Sequence, residues 1–412
     1  MTTLMRAWVM EAFDEPLVLR HVPIPEPGAH QVRVRVLTSS VNPVDVAVSK
    51  GLFRGMYEYR FPAIQGRDFA GTVEAVGPGV TLFAPGDEVF GMVKRAFIGE
   101  GTFAEYVVLE EDRYLVARPP ALPRAEAGAL GLIGVTAIQC VDALDLERGT
   151  VFINGATGSV GSFALQIARA RGLRVIATAR PGDEEAHVRS LGADDTVDWS
   201  AGEVAASVRK LSSDVRGVID LVSRDRESFL SIARIAQPGG VAVTTLGAAP
   251  AEPVDGVALR NIHSESDPVL LRRAAELMVD GTVRLRLADT FELDRLEDAF
   301  ACPVTERRAV RSMLRLLTWA ATAAHANGEK AAVAATGHGL ARWQLLDLLG
   351  GDGMTVPAAA RELRQSRQAT QRLVDALEGS GLVERVSNPG HRTSPIFRTA
   401  SGAQVTLAAL DE

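Results

Sequence analysis

The chain has 412 residues, of which 47% are hydrophobic and 23% charged, a composition that supports two or three globular domains with real cores. A net charge of −7 argues against polyanion binding by the chain as a whole. Only two cysteines occur, Cys140 and Cys302, which argues against a disulfide scaffold, excludes a thiolate-rich structural zinc site and fits a reducing cytoplasm.

The charge is not spread evenly. Residues 303–412 hold 13 Lys/Arg against 10 Asp/Glu, and residues 1–302 hold 31 against 41. Such a change of sign between regions predicts modules with different partners. Charges interrupt the apolar residues of Met1–Glu15, and no uninterrupted apolar run reaches the length of a bilayer span, so no membrane partner is expected.

In chain order, residues 1–125 read as short strands, among them Gln31–Leu37 and Gly71–Val76, punctuated by Pro and Gly. This predicts a barrel or sandwich. Residues 126–250 alternate strand and helix, with strands at Val151–Asn154, Leu173–Ala179, Gly217–Val222 and Gly240–Leu246 and helices at Glu184–Leu191 and Glu227–Ala236. That alternation predicts a parallel sheet covered by helices. Residues 251–302 return to extended segments with one helix, Asp267–Val279, and a helix is expected over Thr305–Ala324. From Leu340 onward the pattern is a compact helical unit that ends in two short strands.

One stretch organises the chain. Val151–Asn154 runs straight into Gly155-Ala156-Thr157-Gly158-Ser159-Val160-Gly161, a G-x-x-G-x-x-G turn followed by a helix that Gly172 ends. Glycines there allow a tight turn and close approach to a pyrophosphate, and the helix N-terminus offers unpaired N–H groups to its charge. The alternative is a Gly-rich turn that only packs helix on strand. At the end of the next strand, Ala177-Thr178-Ala179-Arg180, the acid that would hold a ribose 2′-hydroxyl is missing until Asp183, and Arg180 is offered to a 2′-phosphate instead. This favours NADPH over NADH, unless Arg180 is merely a solvated loop residue.

Near the C-terminus, Thr355 caps a predicted helix to about Leu363, and Ser366 caps a second, Arg367–Leu377. At 100° per residue, Ala369, Leu373, Ala376 and Leu377 share one side. Arg367, Gln368, Gln371 and Arg372 share the other, a face suited to base edges and phosphates or simply to water.

On Val41-Asn42-Pro43-Val44-Asp45, Gly66-Arg67-Asp68-Phe69-Ala70-Gly71, Pro85-Gly86-Asp87-Glu88-Val89-Phe90, Gly134-Val135-Thr136-Ala137, the glycine turn and Leu191-Gly192-Ala193-Asp194-Asp195, residues 4–301 resemble the zinc-independent quinone oxidoreductases of the medium-chain dehydrogenase/reductase superfamily. The resemblance implies an α/β architecture, with a GroES-like β-barrel (1–125) beside a Rossmann doubly wound parallel sheet (126–250) and a return segment (251–302) to the substrate domain. It implies Asn42, Asp45 and Thr136 in the catalytic cleft, the first two open also to reading as a buried polar turn. It places the cofactor on Gly155, Thr157, Gly158, Ser159, Val160, Gly161, Thr178, Arg180 and Leu246. Zinc-dependent relatives have a cysteine where Asn42 stands and a histidine where Arg67 stands, so no zinc is expected. A quinone or activated enone is the expected substrate. Related enoyl reductases carry a tyrosine proton donor where this chain has Phe53, with Tyr57 and Tyr59 close by. Members also close the barrel with a strand after the segment matching Leu296–Ala301, whereas here Cys302-Pro303 follows, which predicts a missing edge strand.

Residues 340–402 resemble the winged helix-turn-helix of the MarR family, with Arg392 at its wing arginine, so 303–412 is expected to be a linker helix and an α+β winged-helix domain. That resemblance implies double-stranded DNA as partner, with Ser366, Arg367, Gln368, Gln371, Arg372 and Arg392 as contacts, and a homodimer. Three roles follow: a cytoplasmic NADPH-dependent reductase fused to a transcriptional regulator, a non-catalytic regulator that senses NADPH or quinone, or an enzyme whose C-terminal unit serves assembly. Cys302, at the hinge, is a candidate redox switch.

Overall fold

The computed structural model describes residues 3–301, 314–318, 345, 354–362, 367–385 and 395–398. The chain divides into two compact units, residues 1–319 and 320–412.

The first unit opens with β1 (Leu4–Met10), β2 (Val18–Pro23), β3 (Gln31–Val41), α1 (Pro43–Ser49), β4 (Asp68–Val76), β5 (Glu88–Met92), β6 (Tyr106–Glu110) and β7 (Leu115–Ala117). Along β3, Val32, Val34 and Val36 are buried while Arg33 and Arg35 between them are not, the period-two pattern of a strand with one face on a core. Phe69, Val73, Val89 and Leu109 complete that core.

Then come α2 (Arg124–Asp142), β8 (Thr150–Asn154), α3 (Ser159–Ala170), β9 (Arg174–Thr178), α4 (Asp183–Ser190), β10 (Asp195–Val197), α5 (Val204–Leu211), β11 (Val215–Asp220), α6 (Arg226–Ala233), β12 (Val241–Thr244), β13 (Ala258–Asn261) and α7 (Pro268–Val279). Six parallel strands pair in the order β10-β9-β8-β11-β12-β13. All five residues of β8 are buried, because helices cover both faces. Val151 and Ile153 join the core under α2, α3 and α7. Phe152 joins the opposite core with Val208 and Phe229. The helix α2 is long and apolar enough to cross a membrane by length and composition, but 72% of that window is buried inside this unit. Cys140 lies within it, and burial pushes its thiol pKa up to about 12, so it acts as a core residue.

Two expectations change. The nucleotide-binding sheet reaches past residue 250 through β13, and α7 packs on α2, so the return to the barrel starts only at β14 (Leu287–Glu292), followed by α8 (Leu296–Ala301). The edge strand expected to be missing is present. It is β15 (Leu314–Thr318), parallel to β14 and antiparallel to Thr38–Val41 of β3, the part of that edge that β6 leaves open. The helix expected over Thr305–Ala324 is therefore wrong at residues 314–318. An apolar run as short as Leu314-Arg315-Leu316-Leu317 fits either period, and the unpaired edges of β3 and β14 decide it.

In the second unit, α9 (Val356–Glu362) and α10 (Arg367–Gly379) stand beside a three-stranded antiparallel sheet in which β18 (Pro395–Arg398) lies between β16 (Met354–Thr355) and β17 (Val383–Arg385). Its core holds Leu345, Ala359, Val374, Leu377, Leu382 and Val383.

Candidate functional site

The glycine turn leaves β8 at the point where strand order reverses, since β9 lies on one side of β8 and β11 on the other. The Gly155 N–H donates to the Thr178 hydroxyl at 2.8 Å, and the Gly158 N–H to the Gly155 carbonyl at 3.0 Å. Gly161 is required by contact: a Cβ there would sit 2.2 Å from the Gly155 carbonyl oxygen. The α3 N-terminus begins at Ser159 with Gly158 as its cap. Thr157, Ser159 and Val160 are half-buried at this turn, and Leu246, just beyond β12, is 43% exposed. Thr178 is buried and braces the loop from beneath.

At the tip of β9, Arg180 is tied down. Its backbone N–H and its Nε donate to the Glu184 carboxylate at 2.7 and 2.9 Å, and its Nη2 lies 2.8 Å from the same group. Trp199 donates Nε1–H to Glu184 at 3.1 Å, and its ring lies 5.1 Å from the guanidinium carbon. Glu184, buried to 4% exposure, was not among the expected site residues. Its signal was available as an acid four residues after Arg180 in the first turn of a helix.

The barrel contributes a buried acid cluster. Asn42 ends β3 in extended conformation and caps α1, and its backbone N–H donates to Asp45 at 2.7 Å. The Asn42 amide nitrogen donates to Ser40 Oγ at 3.0 Å and to Asp68 Oδ2 at 2.9 Å. Asp68, absent from the expected set although quoted within its motif, also accepts from the Ser40 hydroxyl at 2.6 Å and from the Leu132 N–H of α2 at 2.6 Å. The approach is possible because position 131 is glycine: a Cβ there would meet Asp68 Oδ1 at 2.9 Å and the Gly91 carbonyl at 2.6 Å.

Burial raises the pKa of both acids. For Asp45 the rise reaches about 7, with the Asn42 N–H and the charge of Arg67 pulling the other way and Asp68 adding to it. One turn further along α2, the Thr136 hydroxyl bonds to the Leu132 carbonyl and to Ser264 Oγ, both at 2.5 Å. Asp45, Tyr57, Arg67 and Arg95 line one small cavity. Tyr59 does not share it; it packs on Phe13 and Phe61, and its hydroxyl is buried without a partner. Of the two tyrosines close to Phe53, Tyr57 therefore lines this cavity and Tyr59 does not. The cluster offers an amide, two carboxyls and a guanidinium, with no thiolate or imidazole, a set that does not suit a catalytic zinc.

On α10, Gln368 and Arg372 are exposed and Gln371 is half-exposed, bonding Asp375 at 2.7 Å. Thr370, Val374 and Leu377 are buried, with Leu373 packed beside them. The buried line therefore runs a little round from the one expected, because α10 docks on Ala359 of α9 and Val383 of β17. The Arg367 backbone starts α10, whereas Ser366, Arg392 and Cys302 lie outside the described residues.

Residues 28–120 match the alcohol dehydrogenase GroES-like domain, 159–270 the zinc-binding dehydrogenase family and 337–392 the MarR family. The chain is 36% identical over 192 residues to a chloroplast envelope quinone oxidoreductase homolog of Arabidopsis thaliana, covering 45% of this chain and 57% of that protein. It is 33% identical over 232 residues to the mitochondrial NAD(P)H oxidoreductase RTN4IP1 of Homo sapiens, covering 51% and 58%. A solved alcohol dehydrogenase superfamily protein from Novosphingobium aromaticivorans aligns with TM-score 0.66 at 29% identity, over 76% of this chain and 99% of that one. The chain thus spans less than two thirds of the curated relatives it matches. Fold and matches together give the first unit the two-domain architecture of the alcohol dehydrogenase superfamily. The chain thus carries a GroES-like and a dehydrogenase domain similar to those of quinone oxidoreductase homologues, and a MarR-family domain after them.

Proposed function

We propose that the chain is a zinc-free, NADPH-dependent reductase of quinones or activated enones, fused to a DNA-binding regulatory domain and acting in the cytoplasm as a homodimer. The observation that carries the catalytic half is the pairing of a glycine turn at the sheet's switch point with the buried Asn42–Asp45–Asp68 cluster. The N–H groups of Ser159 and Val160 would hold the pyrophosphate, and Gly161 keeps the helix close enough to do so. Leu246 and Thr157 would flank the bound dinucleotide. Arg180 would meet the 2′-phosphate with its Nη1 edge, since Nε and Nη2 are held by Glu184. The bound nicotinamide would supply a hydride to an electron-poor acceptor, which needs orientation rather than a metal.

Asn42 and Thr136 would line the reacting end. Asp45 holds a proton near neutrality and shares its cavity with Tyr57, so this pair stands where a reduced oxyanion needs a proton, in place of the donor that Phe53 lacks. The edge position of β13 supports dimerisation through the nucleotide-binding sheet. In the second unit, the exposed Gln368 and Arg372, with Arg367, Gln371, Ser366 and Arg392, would read DNA, and a dimer would need its two helices about 34 Å apart. Cytoplasmic location follows from a DNA partner.

Trp199 makes a built-in reporter. NADPH is expected to quench tryptophan fluorescence at lower concentration than NADH in the wild type, and Trp199→Phe is expected to remove most of that quench. Equal affinity for both dinucleotides would refute the 2′-phosphate assignment. Salt-insensitive retention of promoter DNA, or none, would refute the DNA-binding half.

A further inference from the structure

A groove of about 810 Å³ runs along α3, between that helix, α4 and the segment 281–286. Arg169, Arg284, Arg286 and His187 line it, together with Ser162, and no Asp or Glu does. Arg169 is engaged by Asp194 at 2.9 Å. The Arg284 and Arg286 guanidinium groups have no acidic partner among the described residues. This is unusual in a region, residues 1–302, that carries 31 basic against 41 acidic side chains.

The segment is built to present them. Val283 is buried in the core under α3, and Leu285 and Leu287 pack against that core, while Arg284 and Arg286, which alternate with them, are exposed. The nearly buried Gln166 clamps the backbone in place: the Arg284 N–H donates to Gln166 Oε1 at 2.9 Å, and Gln166 Nε2 donates to the Arg284 carbonyl at 3.1 Å. His187 is half-buried with Nε2 3.4 Å from the Ser162 hydroxyl, and burial followed by the charge of Arg286 lowers its pKa.

We propose that this groove binds a second phosphate-bearing ligand of nucleotide size, distinct from the dinucleotide at the glycine turn. Two arginine forks on that segment match the several oxygens of a phosphate ester, which each fork binds with paired N–H donors. The Ser162 hydroxyl donates to the Ala156 carbonyl at 3.0 Å, so the arginines carry the phosphate recognition. The volume lies within the range of small-ligand sites, and Leu191 and Leu285 supply an apolar wall for the remainder of the molecule. The groove follows α3 past Ser162 to Gln166 and Arg169, whereas a dinucleotide engages the N–H groups at the start of that helix. Thr157 and Ser159 mark where the two sites meet.

ATP is the probe, titrated calorimetrically into the full chain, alone and with saturating NADPH. Binding is expected in both conditions. It is expected to weaken at least tenfold in the double variant Arg284→Ala/Arg286→Ala, whose NADPH affinity stays within about twofold of wild type and so shows an intact fold. Displacement of ATP by NADPH would overturn the proposal, because ATP would then be occupying the dinucleotide turn. Unchanged ATP affinity in the double variant, or no ATP binding at millimolar concentration, would overturn it as well. The arginine dependence measured without NADPH decides the matter even if the dinucleotide assignment itself fails.

Discussion

Two helices, α3 and α10, each carry a proposed binding function, and they carry it by different means. In α3 the ligand-facing groups are backbone N–H donors at the N-terminus, fixed by glycines whose missing side chains make room for the turn. In α10 they are side chains, Gln368, Gln371 and Arg372, on a helix whose opposite face is locked by Val374 and Leu377. A function borne by backbone tolerates no side chain at its glycines. One borne by side chains tolerates their truncation without loss of fold.

That contrast orders the expected effects. Gly161→Val drives a branched side chain into the Gly155 carbonyl, 2.2 Å from the Cβ position, and is expected to abolish dinucleotide binding and to lower the melting temperature steeply. Binding retained within tenfold would show that the turn is not the cofactor's anchor.

Next, Asp68→Ala removes the acceptor shared by the Ser40 hydroxyl, the Asn42 amide and the Leu132 N–H. With three donors losing this acceptor, two of them on buried residues, a loss of about 3–5 kcal/mol is expected by chemical denaturation. A loss below about 1 kcal/mol would mean that water reaches the cluster.

Arg372→Ala is expected to cost about 1–3 kcal/mol in DNA affinity, roughly ten- to a hundredfold, while the melting temperature and quinone turnover stay unchanged. An equal loss of stability would break the comparison by making Arg372 structural.

The last effect is on pH dependence. Folding raises the Asp45 pKa to about 7, so the folded chain holds a proton there that the unfolded chain releases near the ordinary carboxylate value of 3.8. This contribution to stability is fully present below pH 3.8 and is lost as pH rises through about 7. Asp45→Asn should flatten that part of the decline in a series of melting curves, and an unaltered slope would place the titration on another group.

Legibility in the sequence followed the same division. Gly155, Gly158 and Gly161 sit at fixed spacing after an apolar strand, so the turn and sheet could be read directly. Asn42, Asp45 and Thr136 came only through resemblance, and the structure brings them to the barrel acids and to α2. Asp68 was missed because its role arises from contacts 26 to 64 residues away, to Asn42, Ser40 and Leu132, and local pattern does not record such contacts. Glu184 escapes any reading of the strand's end alone, because it lies on the next helix, which folds it back onto Arg180. The strand Leu314–Thr318 was read as helix because its apolar residues fit either period, and only the open edges of β3 and β14 select between them.

The most direct measurement is NADPH oxidation by purified wild-type protein against a panel of quinones, with Gly158→Trp beside it. Turnover is expected with at least one quinone in the wild type and with none in Gly158→Trp. Turnover that survives in Gly158→Trp would contradict the glycine turn as cofactor site. Dinucleotide binding with no turnover on any quinone or enone would contradict the enzyme and leave a sensor joined to a DNA-binding domain.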